Sequence, residues 1–321
     1  MSQENRTSRR QFLTRSAQGA ALLGIGGTVG YVAGTHRARQ GVASNATSTA
    51  QPLGSFRTGA ARPRGIAVGR DDRIYIVADR NLASFANDGT PLGQVTLGRP
   101  ARCVATRQNG DVLVGLARNV EVFDADLTHR ASWKSLGNET PINGLAVAGD
   151  DVFVADALNE LIWQCDGDGN VLNRIRRNAV GAASPTEFFS LAIRDGRLHV
   201  ANPQRHRIES YTLEGGFVSS WGERSRDLAG FSGCCNPVSF AMLGDGRFVT
   251  AERGQPRVKL YDSNGQFSEL LAGPEQFSAN AQASATETGT GCQTGGLDLA
   301  LDSRERILIL DRVTAEVHFV G

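Results

Sequence analysis

One short apolar strand with an alanine at its centre recurs six times along this chain. The copies are Gly65-Ile66-Ala67-Val68, Cys103-Val104-Ala105-Thr106, Gly144-Leu145-Ala146-Val147, Ser190-Leu191-Ala192-Ile193, Ser239-Phe240-Ala241-Met242 and Asp298-Leu299-Ala300-Leu301. Successive alanines lie 38, 41, 46, 49 and 59 residues apart. Repeats of roughly 40–50 residues built from several short strands are blades of a β-propeller. Most copies are followed by a turn, such as Gln108-Asn109-Gly110, Asp195-Gly196 or Asp245-Gly246, whose residues tolerate the positive φ of a tight hairpin. A second strand follows, as in Val152–Asp156 or Ile307–Asp311. A polar residue closes it in five copies (Asp79, Asp156, Asn202, Glu252 and Asp311), with Leu116 in the other. A third strand is legible at Val258–Tyr261, ahead of Asp262-Ser263-Asn264-Gly265, and a fourth at Phe217–Trp221.

Closure of the ring follows from the ends of the repeat. The sixth copy stops after its third strand, at Gly321, while Leu53–Thr58 precedes the first copy and has the character of a fourth strand. Pairing the two completes the last blade and removes two exposed sheet edges. The repeat pattern resembles that of NHL-repeat proteins over Leu53 to Gly321. The resemblance implies an all-β, six-bladed propeller and leaves function open, because such propellers serve many roles.

The front of the chain is different. Ser8-Arg9-Arg10-Gln11-Phe12-Leu13 resembles a twin-arginine export signal, followed by a weakly apolar stretch from Ala17 to Gly34. Residues 1–34 are read as the signal, 35–52 as a linker and 53–321 as the propeller. Gly41-Val42-Ala43 and Ser44-Asn45-Ala46 both offer small residues for cleavage, and an uncleaved membrane anchor is the other outcome. The signal implies a periplasmic or extracytoplasmic protein in an oxidising compartment. With 34 Lys and Arg against 33 Asp and Glu, no basic field exists to hold nucleic acid.

Strand alternation predicts two rings around the axis. If the alanines face the pore, so do Gly65, Cys103, Gly144, Ser190, Ser239 and Asp298, while Ile66, Val104, Leu145, Leu191, Phe240 and Leu299 pack between blades. The competing reading makes both rings purely structural. Such a pore offers one carboxylate and two hydroxyls, with Asn143 adding a carbonyl, which is thin for a hard dication. No histidine falls in an inner-strand column, so the five histidines read as surface or packing residues.

Four of the five cysteines are suggestively placed; Cys165 reads as packing. Cys234 and Cys235 lie in the loop entering the fifth copy and Cys292 in the loop entering the sixth, so both loops emerge beside Cys103 on one face. Three readings stay open: a disulfide between Cys292 and Cys234 or Cys235, a thiolate metal or cofactor site, and a vicinal Cys234–Cys235 disulfide. Arg64, Arg102, Arg253 and Arg257 form a candidate cationic rim on the same face. The expectation is a protein that binds a small anionic ligand or a protein partner there, with no cofactor assigned. The alternative is a redox or metal-dependent enzyme using Cys234, Cys235 and Cys292.

Overall fold

A computed structural model describes residues 50–137, 141–176, 188–279 and 296–321. The export signal and all but the end of the linker lie outside the described residues. Twenty-four strands among them form six four-stranded antiparallel sheets. A first strand, β1 (Pro52–Arg57), precedes blade 1, which is β2 (Pro63–Val68), β3 (Ile74–Ala78), β4 (Asn81–Phe85) and β5 (Pro91–Thr96). Blade 2 is β6 (Cys103–Thr106), β7 (Val112–Gly115), β8 (Val120–Phe123) and β9 (His129–Ser132). Blade 3 is β10 (Ile142–Ala148), β11 (Asp151–Asp156), β12 (Leu161–Cys165) and β13 (Val171–Arg176). Blade 4 is β14 (Leu191–Arg194), β15 (Arg197–Asn202), β16 (Arg207–Thr212) and β17 (Phe217–Trp221). Blade 5 is β18 (Ser239–Met242), β19 (Phe248–Ala251), β20 (Val258–Tyr261) and β21 (Phe267–Ala272). Blade 6 is β22 (Leu297–Leu301), β23 (Ile307–Asp311) and β24 (Glu316–Val320), with β1 as its outermost strand. The pairing runs from Pro52 opposite Val320 to Arg57 opposite Glu316, as the sequence predicts.

The core consists of six apolar wedges, one between each pair of neighbouring blades. Every alanine of the repeat packs towards the next blade: Ala67 beside Val104, Ala105 beside Leu145, Ala146 beside Leu191, Ala192 beside Phe240, Ala241 beside Leu299 and Ala300 beside Ile66. The alanines therefore do not line the pore. A blade stands with its plane along the axis and the radius, so its inner-strand side chains point sideways at the two neighbours. Ile66, Val104, Leu145, Leu191, Phe240 and Leu299 pack against the preceding blade, each buried. Each such side chain removed from water contributes about 1.5–3 kcal/mol.

The companion ring, expected to face the pore, also turns sideways. The Cys103 thiol points to Ile142 O at 3.7 Å, Ser190 Oγ accepts from Phe240 N at 3.4 Å, and Ser239 Oγ donates to Asp298 Oδ1 at 2.7 Å. Asp298 Oδ2 accepts from Ile66 N at 3.0 Å, so one carboxylate ties blade 5 to blade 6 and blade 6 to blade 1. At Gly144 the Phe189 carbonyl oxygen occupies the space of a β-carbon, and Gly65 lies against the Cys103 backbone. All six positions meet the next blade's inner strand or the residues entering it. A second set of contacts works further out, where Trp133 covers Gly169 and Trp221 covers Gly265; a β-carbon on either glycine would collide with the indole.

The histidines split between packing and surface. His199 and His206 are buried, and His129 sits on the outer strand of blade 2 beside Glu121 at 2.7 Å. Burial, assisted by Arg197, pushes the His199 pKa down to about 4, while Asp195 opposes it weakly. Ser210 Oγ lies 2.9 Å from His199 Nδ1 and the Phe248 ring meets the imidazole edge-on at 5.4 Å.

Gly144→Ala pushes a methyl into a backbone carbonyl and is expected to cost about 1–3 kcal/mol, seen as a lower melting temperature. Between pH 6.5 and 4 the unfolded chain protonates at His199 while the folded chain resists, so stability contributed by the neutral imidazole falls as pH falls through that window. Comparing denaturant unfolding at pH 7 and pH 4.5, the wild type is expected to lose about 2 kcal/mol more than His199→Gln. Equal losses would remove His199 as the cause.

Candidate functional site

A cavity of about 100 Å³ opens on the axis at the end of the ring where the inner strands begin. Its lining forms layers set by strand alternation. At the entrance stand Arg64, Arg102 and Asn143 from blades 1 to 3, with Phe189 and Val238 from the segments entering blades 4 and 5. Two residues further along each strand come Ile66, Val104, Leu145, Leu191, Phe240 and Leu299, all of which line the cavity as an apolar layer. Between the layers lie Cys103, Ser190, Ser239 and Asp298. The ring predicted to sit wholly between blades thus also reaches the axis, because its bulky side chains extend past the neighbouring alanines.

Of the residues singled out in the sequence, Arg64, Arg102, Cys103, Asn143, Ser190, Ser239 and Asp298 line this cavity. The chemistry they offer is narrower than that list suggests. The Cys103 thiol is pushed up to about 12, first by burial and then by the Asp298 charge, so it is a protonated packing group near neutral pH. Asp298 has both oxygens engaged by neighbouring blades. Phe188, Phe189, Val238 and Arg312 escaped notice in the sequence. Arg312, in the turn between β23 and β24, lines the cavity, and its guanidinium lies 5.4 Å from the centre of the buried Phe188 ring. Phe188 lines the cavity too.

Arg253 and Arg257 do not belong to this rim. Both are buried. Arg253 stacks over the Phe188 ring at 5.8 Å, and its backbone exchanges hydrogen bonds with the Asn236 side chain at 2.8 and 3.0 Å. Arg257 pairs with Glu252 at 2.6 Å and donates to Ser232 Oγ at 3.0 Å. The sequence places them on the cationic rim, but the long loop at 222–236 folds over them and buries them.

That loop is anchored from beneath. Lys259, on β20, is fully buried, pairs with Glu252 Oε1, and donates to Leu228 O at 3.0 Å and Gly230 O at 2.7 Å. Its ammonium also lies 4.7 Å from the Phe231 ring centre. Tyr261 donates its hydroxyl to Ala229 O at 3.1 Å. Burial draws the Lys259 pKa down to about 8 against the pull of Glu252. Alternation in Val258-Lys259-Leu260-Tyr261 marks one face of a strand, but only the folded-over loop shows why a lysine is tolerated inside.

On this loop Cys234 is exposed and Cys235 half-buried, and neither lines the cavity. Cys292 lies outside the described residues. Cys165 is buried in blade 3 and its thiol is likewise pushed up to about 12 by burial. Among the described residues no disulfide joins two cysteines, and no cluster of His, Cys, Asp and Glu is arranged to hold a metal ion.

The chain matches no protein-family model and no curated protein. It is similar in structure to a streptogramin B lyase, with a TM-score of 0.59 at 11% identity over 84% of this chain and 96% of that one. A catalytically inactive variant of virginiamycin B lyase from Staphylococcus aureus, with quinupristin, gives 0.57 at 11% identity over 83% and 82%. A protein of unknown function from Bacteroides thetaiotaomicron gives 0.62 at 14% identity over 86% and 73%. At these identities the likeness is one of fold, a six-bladed propeller.

Removing the buried ammonium leaves Glu252 short of a partner and the loop carbonyls unbound. Lys259→Met is therefore expected to cost about 3 kcal/mol in denaturant unfolding. It is also expected to open the 222–236 loop to limited proteolysis at protease levels that spare the wild type. A variant as stable and as protected as the wild type would show that the lysine does not anchor the loop.

Proposed function

We propose that this chain is an exported propeller that binds a small anionic ligand at the mouth of its axial cavity. The observation that carries this reading is the charge of the lining. Among the described residues Arg64, Arg102 and Arg312 line the cavity against a single carboxylate, Asp298, whose oxygens are already occupied by Ser239 and the Ile66 amide. A recess with low-dielectric walls focuses such a field onto whatever enters it. Guanidinium forks suit carboxylate and phosphate oxygens. The concave shape fits a small molecule better than the flat face of a protein.

Export rests on the twin-arginine pattern at Ser8–Leu13, and membership among NHL-type propellers rests on the repeat motif. The lyases that share the fold do not lend this chain their reaction, since folds host many unrelated chemistries.

The test is calorimetric titration of the full chain with a panel of small organic and inorganic anions, repeated with Arg102→Gln. Loss of one charged contact is expected to weaken binding by about tenfold or more, since such contacts contribute roughly 1.5–3 kcal/mol. Binding should also weaken as salt rises. Affinity unchanged by Arg102→Gln would place the ligand elsewhere, and a panel that fails throughout would sink the reading.

A further inference from the structure

The outermost strands of the six blades form the rim of the ring, and five of them are guarded against pairing with a further strand. β1 carries Pro52 and Arg57, β5 Pro91, β9 Arg130, β13 Arg174 and Arg176, and β21 Glu269. Proline removes a ladder donor, and a charge on an edge resists being covered. β17 has neither, since it reads Phe217-Val218-Ser219-Ser220-Trp221. A bulge lies near the start of all six outer strands, so it does not set β17 apart. Among the described residues β17 pairs with β16 alone, which leaves the backbone groups of its other edge without a strand to bond. That edge is open to solvent. Phe217 is 47% exposed and Val218 39%, and Ser219 and Ser220 are exposed as well. More apolar surface lies close by on blade 3, where Leu172 is 56% exposed and its neighbour Asn173 donates to Glu214 O at 3.1 Å.

We infer that β17 is a self-association edge, at which a second copy of this chain adds its own β17 antiparallel, about a two-fold axis at Ser219. The two fourth blades then share one continuous sheet. Charge selects this occupant. A two-fold pairing sets a strand against itself, so β9, β13 and β21 would bring like charges together in a dimer, whereas β17 brings none. Val218 of one copy faces Ser220 of the second copy, and the two Ser219 residues face each other. Glu214, the one charge in the turn ahead of β17, lies at the far end from its counterpart, beside Glu223 and Arg224 of the second copy, whose charges cancel. An isologous contact of this kind closes after two copies and leaves no edge to propagate. A strand this short gives an interface at the small end of the range, so the dimer forms in a concentration-dependent way. This goes beyond the anion-binding reading and is independent of it, since no residue of β17 lines the axial cavity.

The test is sedimentation velocity of the full chain over a range of concentrations. The variants are Ser219→Lys and Ser219→Glu, with Gln94→Lys on the β5 edge as the control; thermal melts confirm that each is folded. The wild type and Gln94→Lys are expected to pass from monomer to dimer as concentration rises. Ser219→Lys and Ser219→Glu each set like charges together at the axis, and each alone is expected to dimerise about fivefold or more weakly than the wild type. Their equimolar mixture should recover, with a Kd about fivefold or more below that of either variant alone, because lysine then meets glutamate. Mixing would not rescue an edge that the substitutions had merely distorted. A wild type that stays monomeric throughout overturns the inference. So does a mixture no more associated than its components, or a Gln94→Lys variant that weakens the dimer as much as Ser219→Lys.

Discussion

Beside the apolar wedge, each blade meets the next through one short side chain or glycine at the start of its inner strand, and the ring is built around that contact. Cys103, Ser190, Ser239 and Asp298 use it to place a polar atom on the neighbouring strand, while Gly65 and Gly144 use it to let backbones meet. Nothing larger fits, because strands converging on one axis have no room for a branched side chain aimed sideways at this depth. The alanines two residues on obey the same limit. Because the small positions are spent on tangential contacts, the axis is left to the bulky column between them. A polar entrance over an apolar floor is the result.

Asp298 holds a special place in this arrangement. It sits on the blade assembled from both ends of the described chain, and its two oxygens fasten that blade to the neighbours on either side. A carboxylate so engaged is a poor metal ligand. The positive character of the entrance is correspondingly set by Arg64, Arg102 and Arg312. Further out, the buried Glu252, Arg257 and Lys259 supply stiffness to a loop that would otherwise be a long unsupported excursion.

Blade number, strand order and the closing strand were all legible from sequence, because a period-two pattern repeated at propeller spacing leaves few alternatives. The direction of the side chains was not. Alternation tells which residues share a face but not which way the face looks, and Ala67 and its counterparts were assigned to the pore when they look at the next blade. The candidate site divided along the same line. Arg64, Arg102 and Asn143 stand out because they directly precede the repeat, whereas Phe189, Val238 and Leu297, in the same column of the other three blades, are buried. Arg253 and Arg257 were misplaced because burial by the loop at 222–236 is a tertiary fact that local composition does not carry. Phe188 and Arg312 fall in connecting segments with no repeat to flag them.

The pairing of β1 with β24 has a temporal consequence. Three strands of the last blade follow all the other blades in the chain and the fourth precedes them, so that sheet joins residues more than 250 positions apart, as with Pro52 and Val320. A nascent chain carries β1 as an orphan strand until β24 has been made. Until that pairing forms, the first strand is an exposed edge, and a factor that shields one edge strand would be enough to bridge the interval.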